Sequence, residues 1–190
     1  MRYFLLLLTF LVFACAPKPD VDCGFIRNNY GQNLRWKRFP IVIYIDTSFD
    51  DQHAISIQKA AAKWEAAIGK PVFQIKRVNS AVAQQDNQNI LVGLINWSPR
   101  DDRKSAVTSL YFNSDEIAEA DVVFNFNYNL TTRESREYGI DLEALASHEL
   151  GHLLGLDHNP DPYSIMYYSL SNGYQKEIAD IDKKNIRCVY

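Results

Sequence analysis

The chain has 190 residues, 47% hydrophobic and 13% aromatic, which is enough apolar material for one packed domain and too much for a disordered chain. Basic residues number 20 and acidic residues 23, for a formal charge of −3. With no Lys/Arg block of the kind that grips phosphates, nucleic acid is excluded as an expected partner.

The N-terminus reads first as a targeting segment. Met1-Arg2 precedes an apolar run over residues 3–14 that only Thr9 interrupts. A basic start, a short apolar stretch and a small final residue describe a secretory signal. The run is shorter than the roughly 20 residues of a membrane-spanning helix, although a plain transmembrane anchor is the other reading. Val12-Phe13-Ala14-Cys15 is similar to a bacterial lipobox, in which the cysteine becomes the lipidated first residue of the mature protein. Ordinary cleavage near the same point would instead give a freely secreted protein. With Cys15 set aside, Cys23 and Cys188 remain, and an exported protein can oxidise such a pair. That bridge would close a loop worth roughly 5 kcal/mol in the chain-entropy model.

Further along, Ile41-Val42-Ile43-Tyr44-Ile45 predicts a buried strand. Asp50 or Ser48 would cap a helix in which Ala54, Ile57, Ala61, Trp64 and Ile68 recur at three- and four-residue steps, and Gly69 and Pro71 stop it. Strands are expected over 72–75 and 89–95. A polar loop over 96–105 leads to an edge strand over 106–112, and the β-branched, aromatic stretch 120–126 predicts another strand. After a polar stretch over 127–139 come helices over about 141–154 and about 175–187. This order predicts an α+β domain with a single twisted mixed β-sheet, a long packing helix, an active-site helix and a C-terminal helix.

The decisive segment is His148-Glu149-Leu150-Gly151-His152-Leu153-Leu154-Gly155-Leu156-Asp157-His158, which holds three of the four histidines. Residues four apart on a helix share a face, so His148 and His152 can aim at one point. Gly155 tolerates the left-handed conformation that ends a helix, which lets the chain reverse and bring His158 to the same point. Three neutral imidazoles suit Zn²⁺ and leave one position for a water of lowered pKa. Glu149 follows the first ligand and would act as general base on that water, then pass the proton to a leaving amine.

These residues resemble the metzincins, with their HExxHxxGxxH motif and Met-turn, and within them the matrixins. Ser164-Ile165-Met166-Tyr167 is similar to the Met-turn, eight residues after His158, and the resemblance implies that Met166 packs beneath the metal as an apolar floor. Residues 36–75, 120–125 and the positions Asp182, Ile186 and Tyr190 are similar to other matrixin elements. Tyr168 stands where matrixins commonly have Pro. It is expected either to approach the metal and stabilise an oxyanion or to line the wall of the specificity pocket. The second, structural zinc of matrixins needs several more histidines, and His53 alone is left, expected on a helix surface. Calcium sites follow from the resemblance, without an assigned ligand set. Asp22-Cys23-Gly24 resembles the prodomain cysteine switch of vertebrate matrixins, but the chain has no room for that prodomain, and the disulfide is the preferred reading.

The resulting expectation is a signal peptide over 1–14, a lipidated Cys15 and tether over 15–34, and a matrixin-like catalytic domain over 35–190. The resemblance implies a zinc-dependent endopeptidase acting on an extended polypeptide laid along the 106–112 edge. It would be a monomer held in a bacterial envelope by its lipid, with the outer membrane favoured. Two rivals are a non-catalytic zinc-containing binding lipoprotein and a zinc hydrolase acting on a non-peptide amide.

Overall fold

A computed structural model describes residues 19–95, 103–135 and 138–190. The signal run, Cys15 and most of the 96–105 loop lie outside the described residues. The chain runs β1 (Ile41–Asp46), α1 (Asp51–Ile68), β2 (Phe73–Val78), β3 (Asn89–Leu94), β4 (Ala106–Asn113), β5 (Glu116–Asn125), β6 (Leu130–Thr131), β7 (Ile140–Asp141), α2 (Leu142–Leu153) and α3 (Asp180–Val189). The main sheet has the order β2-β1-β3-β5-β4. Its first four members pair in parallel, and β4 pairs antiparallel with β5 as an edge. This is the expected α+β mixed sheet with three helices.

Local chemistry sets the boundaries of α1. Asp50 caps it by accepting the His53 N–H at 2.8 Å, and Gly69 ends it at φ 90°. Glu65, in the last turn, then accepts the Val72 and Phe73 N–H groups at 2.8 and 2.9 Å, tying the helix end to the entry of β2. Trp64 is fully buried, and its indole N–H donates to Ser147 O at 2.7 Å, fixing α1 against the middle of α2. His53 is half-buried on α1, with Nε2 3.2 Å from Leu130 O.

Several elements differ from the sequence reading, beginning with β2, which runs on to Val78. β5 begins at Glu116, four residues early, because Ser114, at φ 58°, lets a tight turn return the chain along β4 and pair Asn113 with Glu116. The polar stretch before α2 contains the short parallel pair β6 and β7. The last helix starts at Asp180 and not near 175, because the Asp182 carboxylate accepts the Ala179 N–H at 2.9 Å and so sets the first turn. Upstream of that cap, Glu177 is drawn outward to Lys63 and Arg133.

The stretch read as tether is folded onto the domain from Asp20 onward. Asp20 accepts the Asn33 N–H at 2.9 Å, and Cys23, Phe25 and Leu34 are members of the core. Cys23 and Cys188 form a disulfide, with their Cα atoms 5.9 Å apart, that fastens this strap to α3.

Candidate metal centre and cleft

Helix α2 carries the chemistry, and its surroundings hold it rigidly. Asp141 caps it by accepting the Ala144 N–H at 3.0 Å. A helix leaves its last carbonyls without intrahelical partners. Here the Trp36 indole donates to Leu153 O at 2.8 Å and the Tyr190 hydroxyl donates to Leu154 O at 2.6 Å. The chain then reverses at Gly155, φ 100°, where an added Cβ would lie 2.3 Å from Leu34 O. Both the conformation and that close approach require glycine. Beyond it, Leu156 bridges antiparallel to Phe25, with Ile26 N–H donating to Gly155 O at 2.8 Å and Asp157 N–H to Gly24 O at 2.9 Å. The disulfide-anchored strap thereby braces the segment that delivers His158.

The three imidazoles meet. His152 Nε2 lies 3.1 Å from His148 Nε2 and 3.3 Å from His158 Nε2. Among the described residues, these three form the one cluster of His, Cys, Asp and Glu with the geometry to hold a metal ion. His148 Nδ1 lies 2.8 Å from Ile165 O, and His152 Nδ1 lies 2.8 Å from Leu156 O. Carbonyls only accept, so both Nδ1 atoms carry protons and both Nε2 atoms present lone pairs to the common point. Bare lone pairs at 3.1 Å repel unless a cation lies among them. Burial pushes both rings down to about 4, which keeps them neutral at neutral pH, as metal ligands must be. The donor set and its tautomers therefore fit Zn²⁺, and the backbone carbonyls supply the outer hydrogen bonds that orient such ligands.

Met166 is buried against α2 between the two helical ligands. A Cβ on Gly151 would fall 2.3 Å from Met166 Sδ, so the glycine between the two helical ligands makes room for the sulfur. Asp182 holds the turn carrying Met166: it is buried, accepts the Ser164 hydroxyl, and accepts the Ile165 N–H at 2.8 Å. Since Ile165 O is also the partner of His148, Asp182 is one step removed from the metal centre.

Glu149 is buried beside the triad and lines the same cleft, an open depression of about 600 Å³. Burial raises its pKa, and His152 and a hydrogen bond from Thr108 oppose that rise. Tyr168 lines the cleft too, but its ring is exposed and tilted against that of Tyr167 with centroids 4.2 Å apart, and its hydroxyl accepts from the Tyr167 hydroxyl at 2.9 Å. Thr108 and Gly151 carried no assigned role in the sequence reading. A glycine inside an otherwise strong helix former was a visible signal for Gly151. Thr108 needed the register of β4 against α2.

Among the described residues no second cluster of three His, Cys, Asp or Glu side chains has metal-holding geometry, and calcium, which also takes backbone carbonyls, keeps no assigned ligand set. Asp86, Glu119 and Asp121, ahead of β3 and along β5, lie close enough to act on one another, and Asp121 Oδ2 is buried without a hydrogen-bond partner among the described residues. Glu119 accepts the Asp86 and Asn87 N–H groups, and burial lifts Asp121 to about 6.

Comparison with known proteins decides the family: the matrixin family model matches residues 38–190. The chain is a matrixin. It is similar to Metalloendoproteinase 1 of Glycine max, 29% identical over 161 residues that cover 74% of this chain and 46% of that protein. Metalloendoproteinase 2-MMP of Arabidopsis thaliana is 42% identical over 52 residues, 27% of this chain and 14% of the relative. Matrix metalloproteinase-20 of Homo sapiens is 41% identical over 54 residues, 27% of this chain and 11% of the relative. The matrixin chain thus spans less than half the length of these relatives.

Proposed function

We propose that this matrixin is a zinc-dependent endopeptidase that cleaves extended polypeptides. The observation that carries this is the convergence of three imidazoles beside a buried carboxylate in one open cleft. His148, His152 and His158 would hold the ion. When bound, zinc supplies Lewis acidity toward a carbonyl and toward water. Glu149 takes a proton from the attacking water on a carboxylate oxygen and delivers it to the leaving nitrogen as the C–N bond breaks. The free edge of β4 borders the cleft, and an extended peptide adds to it as a further antiparallel or parallel strand, with its scissile bond facing the triad. Tyr168 lines the cleft wall, and its hydroxyl, which accepts from Tyr167, keeps its own proton to donate toward the site.

The test is cleavage of casein by the purified protein, with product masses identifying peptide bonds. We expect cleavage that a chelator abolishes, that one equivalent of zinc restores, and that metal analysis matches at one zinc per chain. A protein that binds one zinc and cleaves nothing would instead be the non-catalytic binding lipoprotein.

We also infer export with a lipid on Cys15. The support is the apolar run over residues 3–14 ahead of that cysteine, together with a Cys23–Cys188 disulfide of the kind found in oxidising compartments. Among the described residues no helix is long and apolar enough to cross a membrane. Cys15→Ala is expected to move the protein from the membrane fraction to the soluble exported fraction, and an unchanged distribution refutes the lipid anchor.

A further inference from the structure

Strand β4 does more than offer its edge to a peptide. Its side chains alternate, so that Ala106, Thr108 and Leu110 share one face. That face packs against α2. Thr108 is the hydroxyl-bearing residue of the three. Its Oγ1 lies 2.5 Å from Glu149 Oε2 and 3.3 Å from Glu149 O. A threonine hydroxyl has one proton to give, and the shorter, charge-assisted partner takes it. The methyl group of Thr108 remains for packing. Pairing of Thr108 with Val122 on β5 sets the height of the residue along the sheet, and β5 lies inside the sheet between β3 and β4. The hydroxyl is therefore held by the rigid frame and not by a loop.

We propose that Thr108 is a positioning residue for the general base: its hydroxyl pins Glu149 Oε2 and leaves Oε1 as the atom that exchanges a proton with water and the leaving nitrogen. A carboxylate side chain has a broad terminal torsion, so without a fixed partner its two oxygens exchange places. One oxygen tied to β4 defines which lone pair faces the cleft. The same strand that aligns the peptide then aligns the base, so the distance from scissile bond to base is set within one element. This inference rests on the proposed proteolysis for its kinetics but not for its geometry.

The experiment compares Thr108→Val, which keeps shape and removes the donor, with Thr108→Ser, which keeps the donor and removes the methyl. All variants are studied as the full zinc-loaded chain. Misplacing a catalytic group by about 1 Å costs up to about 10²-fold. Thr108→Val should therefore lower kcat by about 10–100-fold with KM within about twofold, and Thr108→Ser should stay within about threefold of the parent. Zinc affinity by chelator competition should be equal in all three, since the hydroxyl proton of Thr108 goes to Glu149 and not to a ligand. Independently of activity, the Glu149 side-chain carboxyl ¹³C resonance, assigned through Glu149→Gln, should move in the Val variant and return in the Ser variant. Unchanged kcat in Thr108→Val, or equal losses in Val and Ser, would overturn the positioning role. A stationary resonance would overturn the hydrogen bond even in a protein that cleaves nothing, whereas an inactive parent with the expected resonance shifts would count only against proteolysis.

Discussion

Glu149→Gln is expected to lower turnover of a cleaved peptide by about 10²–10⁴-fold, the range removed with a positioned general base, while the protein keeps one zinc per chain. The substitution preserves shape and removes basicity. The three imidazole ligands do not depend on Glu149. The Nδ1 protons of His148 and His152 go to Ile165 O and Leu156 O, and the His158 ring stands in the open cleft. The amide oxygen that replaces the carboxylate can still accept from Thr108, so the position of the side chain should be retained. Stability should hold or rise, because the wild-type carboxylate is buried against the cost of its charge.

Three measurements separate the possible roles. Single-turnover cleavage reports the chemical step, metal analysis reports the site, and a thermal melt reports the fold. A general base predicts loss of the first alone. If Glu149→Gln turned over within about tenfold of the parent, the proton would be moving through another group, and the assignment would fail. If zinc were lost as well, Glu149 would be acting on the metal centre and not on the attacking water. The binding-lipoprotein reading predicts no change in any of the three.

Much of this centre was legible in the chain because it is local. His148 and His152 lie one helical turn apart, Gly155 signals a reversal, and His158 follows at the reach of that reversal. Each step needs only backbone geometry. The strand–helix alternation through α1 was equally local, with the Asp50 cap, the Gly69 stop and the buried stripe from Ala54 to Trp64 all written in spacing. What was not legible depended on distant pairing. The early start of β5 is imposed by β4 across the hairpin, against residues such as Glu116 and Glu119 that carry little strand preference. The late start of α3 is imposed by Asp182, whose carboxylate serves Ala179 and the Met166 turn together. The strap over 20–34 has no periodicity of its own. It is ordered by Leu156, Gly155 and a cysteine 165 residues away. Thr108 meets Glu149 only once sheet register and helix packing are both set.

That strap leads to the second large effect. Replacing both Cys23 and Cys188 with Ser is expected to cost about 3–5 kcal/mol of unfolding free energy, since the bridge closes a very long loop in the unfolded chain. Chemical denaturation of the oxidised protein and the double variant measures it directly. The loss should not be uniform. Gly24 O and Ile26 N–H are bonded to Asp157 N–H and Gly155 O, and Phe25 is buried beside Gly155. Without the covalent tie to α3, these bonds can open by local fraying of the strap, without unfolding the sheet. Amide exchange at Ile26 and Asp157 should therefore accelerate more than exchange at Ala61, buried in the middle of α1 and away from its fraying ends. His158 sits one residue beyond Asp157, so the double variant should also surrender zinc to a chelator more readily than the parent. A stability loss below about 1 kcal/mol would mean that the unfolded chain keeps these ends together without the bridge. Equal acceleration at all three amides would mean that the strap opens only with the whole domain, and that the disulfide braces the fold but not the third ligand.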